Sequence, residues 1–211
     1  MSAWTATEDF ESYGTGSISG ANGGTGWSGA WTLDSGTVTV VASPARGTRA
    51  VLINSATSGD ANRTLTTGVT SGSMRIYMYA TTVPTGTKGF FPALFRDAGT
   101  IKFRLSWGND VPGNNVGFGN GTTTETIGAT PAAATWHYAD IQFDQTNNRA
   151  RASFNGGAFS AYITAIGGSF TSINSIRITN ADGNGSDQGY YIDDIAATPV
   201  STANSNFFVF M

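Results

Sequence analysis

Hydrophobic and polar positions alternate with period two along much of the chain, as they do in strands buried on one face. The clearest case is residues 101–107, where Ile101, Phe103, Leu105 and Trp107 alternate with Lys102, Arg104 and Ser106. Burying those four apolar side chains contributes on the order of 6–12 kcal/mol before entropy is counted. The segment pairs with residues 90–95 across the turn Asp97-Ala98-Gly99-Thr100. A second hairpin is predicted over residues 135–157, with strands at 136–143 and 149–154 flanking Asp144-Gln145-Thr146-Asn147-Asn148. There Asn155-Gly156-Gly157 supplies the positive φ of a tight turn before the apolar pattern at 158–163. Residues 72–79 put Met74, Ile76 and Met78 on one face and Arg75, Tyr77 and Tyr79 on the other. With apolar or aromatic residues on both faces, this is expected to be a central strand covered on both sides.

Further strands are expected at 8–13, 37–41, 49–53, 62–65, 123–127, 175–179 and 189–196, with a short apolar run at 115–118. Residues 14–26, almost all Gly, Ser, Thr and Asn, read as a long surface loop. Helical periodicity is absent. About a dozen short strands punctuated by Gly, Asn and Pro predict an all-β fold, an antiparallel two-sheet β-sandwich. No repeat of propeller or solenoid length is visible.

Composition narrows the picture without changing it. The 211 residues suit one large all-β domain, and they include 28 glycines and no cysteine, so neither disulfides nor thiolate metal sites are available. Only 12% of residues are charged and the net charge is −3, which leaves no basic footprint for nucleic acid. No apolar run is long enough to span a bilayer, so membrane insertion is not expected. The first residues, MSAWTATEDFESYG, lack a secretory signal pattern, and the expectation is synthesis in the cytoplasm without a signal peptide. Residues 1–200 are expected to form the sandwich and 201–211 a tail ending in Phe207, Phe208, Val209, Phe210 and Met211. Five apolar residues at a terminus call for a partner surface, on the same domain or on another protein subunit.

Three stretches carry a resemblance. Trp136-His137-Tyr138-Ala139-Asp140-Ile141-Gln142-Phe143-Asp144, followed by a polar turn and Arg151-Ala152-Ser153-Phe154-Asn155-Gly156, resembles a hairpin of laminin-G-like or concanavalin A-like jelly rolls. The DFESY opening and the YYIDDI ending look like the first and last strands of that superfamily, which lie side by side. The resemblance implies a jelly roll and leaves function open, because the sandwich hosts lectins, hydrolases, lyases and virion proteins.

If the chain ends pair as the resemblance implies, Glu8, Asp9, Asp193 and Asp194, with Asp182 and Asp187 in the adjacent loop, offer carboxylates for a structural Ca²⁺; solvated strand ends are the other reading. Hydrolysis is not expected. The Glu-x-Asp-x-x-Glu arrangement of the superfamily's glycosidases does not occur, and Glu8 and Glu11 would point to opposite faces of a strand. His137 is the single histidine, in the Trp-His pair where a structural role suffices, and no serine sits in a nucleophile elbow. The expectation is therefore a protein that is not an enzyme. Two readings follow. One is a structural or adhesion protein of a bacteriophage particle, a capsid decoration or fibre-associated domain at the virion surface, docked through 207–211 onto capsid, fibre or its own copies. The other is a carbohydrate-binding module that stacks Trp27, Trp31, Tyr77, Tyr79 or Trp107 on cell-surface glycans. Trp27 and Trp31 serve equally to seal the end of the core.

Overall fold

The computed structural model describes residues 2–54, 59–84, 89–108, 111–180 and 189–198. Fifteen strands lie among them: β1 Gly16–Ser17, β2 Thr32–Ser35, β3 Val38–Val41, β4 Ala50–Asn54, β5 Asp60–Val69, β6 Ser71–Ala80, β7 Phe90–Asp97, β8 Thr100–Trp107, β9 Val116–Gly119, β10 Thr124–Gly128, β11 His137–Asp144, β12 Arg149–Phe154, β13 Ile163–Thr164, β14 Ile173–Asn180 and β15 Gly189–Ala197. They form two sheets, ordered β1-β3-β4-β15-β6-β11-β12-β13 and β10-β9-β8-β7-β14-β5-β2. Every pairing is antiparallel. The expected all-β sandwich is the architecture found.

Period-two alternation decides which side chains enter the space between the sheets. Met74, Ile76 and Met78 of β6 and Ala139, Ile141 and Phe143 of β11 point inward and are fully or almost fully buried. They meet Phe95, Phe103 and Phe118 of the facing sheet, with the rings of Phe95 and Phe143 edge to face at 5.1 Å. Tyr190 of β15 stacks on Phe90 of β7 at 4.5 Å, a second tie across the layers.

Several expectations change. β6 is central, between β15 and β11, yet only its inward face is fully buried; Arg75, Tyr77 and Tyr79 stay half-buried on the outer face. On β8 the inside/outside pattern holds for Phe103, Leu105 and Trp107, but Lys102 and Ser106 are buried as well. Lys102 reaches the carbonyls of Ile166 and Ser169, so a loop closes over that side of the sheet. β5 runs ten residues, longer than the expected 62–65, because its exposed Thr64, Thr66 and Thr67 hid the alternation behind polar residues. The apolar pattern at 158–163 yields regular pairing only at Ile163 and Thr164. Residues 8–13 form no strand: Phe10 turns to φ 59°, in the left-handed region, and its ring is fully buried. Pairing of the two chain ends survives as a bridge in which Glu8 and Ile195 exchange backbone hydrogen bonds of 2.7 Å.

Candidate ligand-binding face

The outer face of the eight-stranded sheet carries the chemistry that the core cannot use. Residues directly opposite on neighbouring strands share a face, and Tyr77 of β6 stands opposite Tyr138 of β11, while Tyr79 stands opposite Tyr191 of β15. Trp136, one residue before β11, extends the set. Ring centroids lie 5.4 Å apart for Tyr77 and Tyr138, 5.3 Å for Tyr79 and Trp136, and 5.5 Å for Tyr79 and Tyr191. All five rings are half-buried, so each keeps surface toward solvent.

Along the strands this aromatic row passes into charge. Arg75 grips Asp140 across β6 and β11 through Nε at 2.7 Å and Nη2 at 2.9 Å, and its guanidinium lies 3.9 Å over the Tyr138 ring. From the β3–β4 loop, Arg46 lies 3.3 Å over the ring of Tyr77 and donates Nε to Asp194 at 2.9 Å. Tyr77 and Tyr138 are thus capped by cations, whereas Tyr79 contacts both Trp136 and Tyr191.

Asp193 stands opposite Tyr77 and so on this same outer face, yet it is only 1% exposed. The β3–β4 loop covers it: Arg46 N donates to its Oδ2 at 2.8 Å and Asp194 N to its Oδ1 at 2.9 Å. Burial pushes its carboxyl up to about 7, partly opposed by those backbone donors. The register of β15 then slips between Asp193 and Ala196, a bulge at which Asp194 takes φ 43°. Because of that bulge Asp194 projects beside Arg46 and Ile195 can pair with Glu8. The side chains around the bulge enclose a cleft of about 270 Å³, whose walls include Asp9, Arg46, Arg75, Tyr77, Asp194 and Ala196.

Glu8 lies at the edge of this cleft but faces inward, 1% exposed. Its carboxylate pairs with Arg63 and accepts from Tyr13 Oη at 2.6 Å, Phe10 N at 3.0 Å and Trp31 Nε1 at 3.4 Å. Arg63 in turn reaches the carbonyls of Gly29 and Gly23 and the side chain of Asn22. Burial, reinforced by the bond to Glu8, drives the Tyr13 hydroxyl up to about 12.

The structure disperses the sequence-predicted site residues. Trp31 and Trp107 are completely buried and offer no face to a ligand; Trp107 keeps the inward place that the alternation over 101–107 gave it, at the expense of its reading as a stacking ring. Trp27 packs against Trp31 at 6.2 Å and gives its indole N–H to the Thr7 carbonyl at 2.8 Å, so it seals the core end. Tyr77 and Tyr79 do lie on an open face. Trp136, Tyr138, Tyr191, Arg46 and Arg75 were missed, although the outward positions of WHYADIQF and YYIDD spell most of the row once strand neighbours are known.

The calcium set does not assemble either. The Glu8 carboxylate is saturated by Arg63 and three further donors, and Asp193 is shut beneath the β3–β4 loop. Among the described residues no group of three or more His, Asp or Glu side chains is placed to hold a metal ion. Asp182 and Asp187 lie outside those residues, as do Phe207, Phe208, Val209, Phe210 and Met211. His137 is buried, with Nε2 3.0 Å from the Ala132 carbonyl and Nδ1 2.9 Å from Asn155 Nδ2. That pattern puts its proton on Nε2 and engages both nitrogens in local structure. No described helix is long and apolar enough to cross a membrane.

No family model matches the sequence, and no curated protein matches it. Solved structures do. A sialidase superposes on 94% of this chain, over 19% of the sialidase, with a TM-score of 0.64 and 11% identity. Domain 4 of AbnA, an extracellular GH43 arabinanase from Geobacillus stearothermophilus solved in complex with arabinotriose, covers 93% of this chain and 95% of its own, with a TM-score of 0.55 and 16% identity. Lectin II from Ulex europaeus covers 78% and 89%, with a TM-score of 0.52 and 9% identity. At such identities the likeness is one of fold, and the chain spans about a fifth of the sialidase it resembles. With its two antiparallel sheets and paired chain ends, this chain has the concanavalin A-like jelly-roll fold.

Proposed function

We propose that this jelly roll is a non-catalytic carbohydrate-binding module whose ligand lies on the outer face of the eight-stranded sheet. The carrying observation is the cluster of Tyr79, Trp136 and Tyr191, half-buried rings of which Tyr79 contacts both others, bordered by paired arginines and aspartates. Sugars present apolar C–H faces ringed by hydroxyls, and aromatic faces beside planar charged groups meet both needs. Rings held by neighbouring strands lose little freedom on binding. The solved arabinanase domain and lectin lend support by analogy of fold. Catalysis has no place in this reading, since His137 is committed to local hydrogen bonds and Glu8 to Arg63.

The docking role expected of Phe207, Phe208, Val209, Phe210 and Met211, and the virus-particle setting built on it, fall on residues outside those described. The aromatic row is where the described surface carries ligand chemistry. Affinity electrophoresis in gels containing soluble polysaccharides tests the reading directly. The wild type is expected to be retarded by at least one polysaccharide, and Tyr79→Ala and Trp136→Ala to migrate as in a sugar-free gel while keeping the wild-type melting temperature. Free migration of the wild type in every gel overturns it.

A further inference from the structure

The aromatic row does not account for the cleft that lies beside it, between the β15 bulge, the β3–β4 loop and β6. Tyr77 forms a wall of the cleft, and Tyr79 lies two residues further along the same strand, ~7 Å away. A ligand stacked on Tyr79 therefore reaches the cleft with its next unit. At about 270 Å³ the cleft falls just below the range of drug-sized pockets, roughly 300–1,000 Å³, and suits one sugar ring.

Its polar groups come in matched pairs. Arg46 faces Asp194, Arg75 faces Asp140, and Asp9 adds a further carboxylate at the rim. Burial pushes the Asp194 carboxyl up, with Arg46 opposing and the Asp9 and Glu11 charges reinforcing the rise. Such a field holds no uncompensated positive charge for an anion. What it offers is an acceptor next to a donor, the arrangement that two adjacent hydroxyls satisfy by donating one hydrogen bond and accepting another. The depth comes from the bulge: it costs Asp194 a left-handed backbone, sets that carboxylate beside Arg46, and leaves the small side chain of Ala196 on the lining, between Ile195 and Ala197.

Resting on the carbohydrate-binding reading, we propose that the cleft formed by Asp9, Arg46, Arg75, Tyr77, Asp194 and Ala196 is a subsite for one uncharged sugar unit with adjacent hydroxyls, and that it selects neutral polysaccharides over those of uronic acids. The same gels decide it, run with neutral polymers (β-glucan, xylan, arabinan, galactomannan) and with the uronates alginate and polygalacturonate. The expected result is retardation by at least one neutral polymer and none by the uronates. Ala196→Phe, which fills the cleft, and Arg46→Ala, which removes the donor of one pair, are each expected to weaken neutral binding by about tenfold or more. Melting temperature reports whether either variant is misfolded, and Arg46→Ala keeps the backbone N–H that holds Asp193. If Tyr79→Ala abolishes binding while both cleft variants bind as the wild type does, the subsite is wrong and the aromatic site stands. Equal or stronger retardation by the uronates overturns the selectivity. Free migration of the wild type in every gel overturns both site and subsite.

Discussion

At the scale of single residues, the Glu8–Arg63 pair is a fully buried ion pair among the described residues. Both residues are 1% exposed, and six further groups from residues 10–31 hydrogen-bond to one or the other. Removing one partner leaves the other as an unpaired buried charge, and Arg63→Met is expected to cost about 3–5 kcal/mol by urea denaturation. Glu8→Gln should fall below that, since the amide oxygen still accepts from Phe10 N or Tyr13 Oη. A loss under 1 kcal/mol for Arg63→Met would mean that water reaches Glu8. The pair was invisible in the linear chain, where Glu8 read as one carboxylate in an acidic, strand-like run. Its partner lies 55 residues away on β5, and only the sandwich brings the two together.

At the scale of elements, the N-terminal segment is held against residues 24 and 25 of the segment before β2 by close backbone approach. Thr7 and Thr25 exchange backbone hydrogen bonds, and Gly24, at φ 66°, sits so near the Thr7 carbonyl that an added Cβ would fall 2.1 Å from its oxygen. Gly24→Ala is therefore expected to lower the melting temperature by several degrees through both the left-handed backbone and the clash, a cost above ~1 kcal/mol. An unchanged melting temperature would show that residues 2–10 dock weakly. Strand positions were largely legible from period-two alternation, β8 and the β11–β12 hairpin above all. Residues 8–13 and 158–163 were not, because alternation describes which faces differ in polarity and not whether the backbone finds a partner. At Phe10 the ring reached the core through a left-handed turn instead of a strand.

At the scale of the whole molecule, opposing ionisations set the response to pH. Asp193 titrates at about 7 in the folded chain against an ordinary value of 3.8, and Asp194 is also raised, so the folded state holds more protons across that interval. Their contribution is fully present below the unfolded value and is lost as pH rises toward 7. Glu11, bonded by Thr48, and Asp144, bonded by Asn147 and Arg149, are held below their ordinary values. They act the other way, with stability present above the ordinary carboxylate range and lost as pH falls through their folded values. The melting temperature is expected to peak on the acid side of neutrality, falling from pH 5 to 8 and again below pH 4. Asp193→Asn should lower the melting temperature overall and flatten the decline between pH 5 and 8; an unaltered slope would assign that decline to other groups.

The chain by itself determined the fold class and the strand-rich hairpins. Alternation, turn residues and the lack of helical periodicity act locally and survive in any compact arrangement. It also placed Tyr77 and Tyr79 on one face of a strand, while leaving open whether that face would be buried. Only the tertiary structure decided that Trp31 belongs to the core, that Glu8 pairs with Arg63, and that Trp136 and Tyr191 each join Tyr79 in one aromatic surface. The reason is register: strands far apart in sequence become neighbours through long-range pairing, and no local pattern records which residue will stand opposite which.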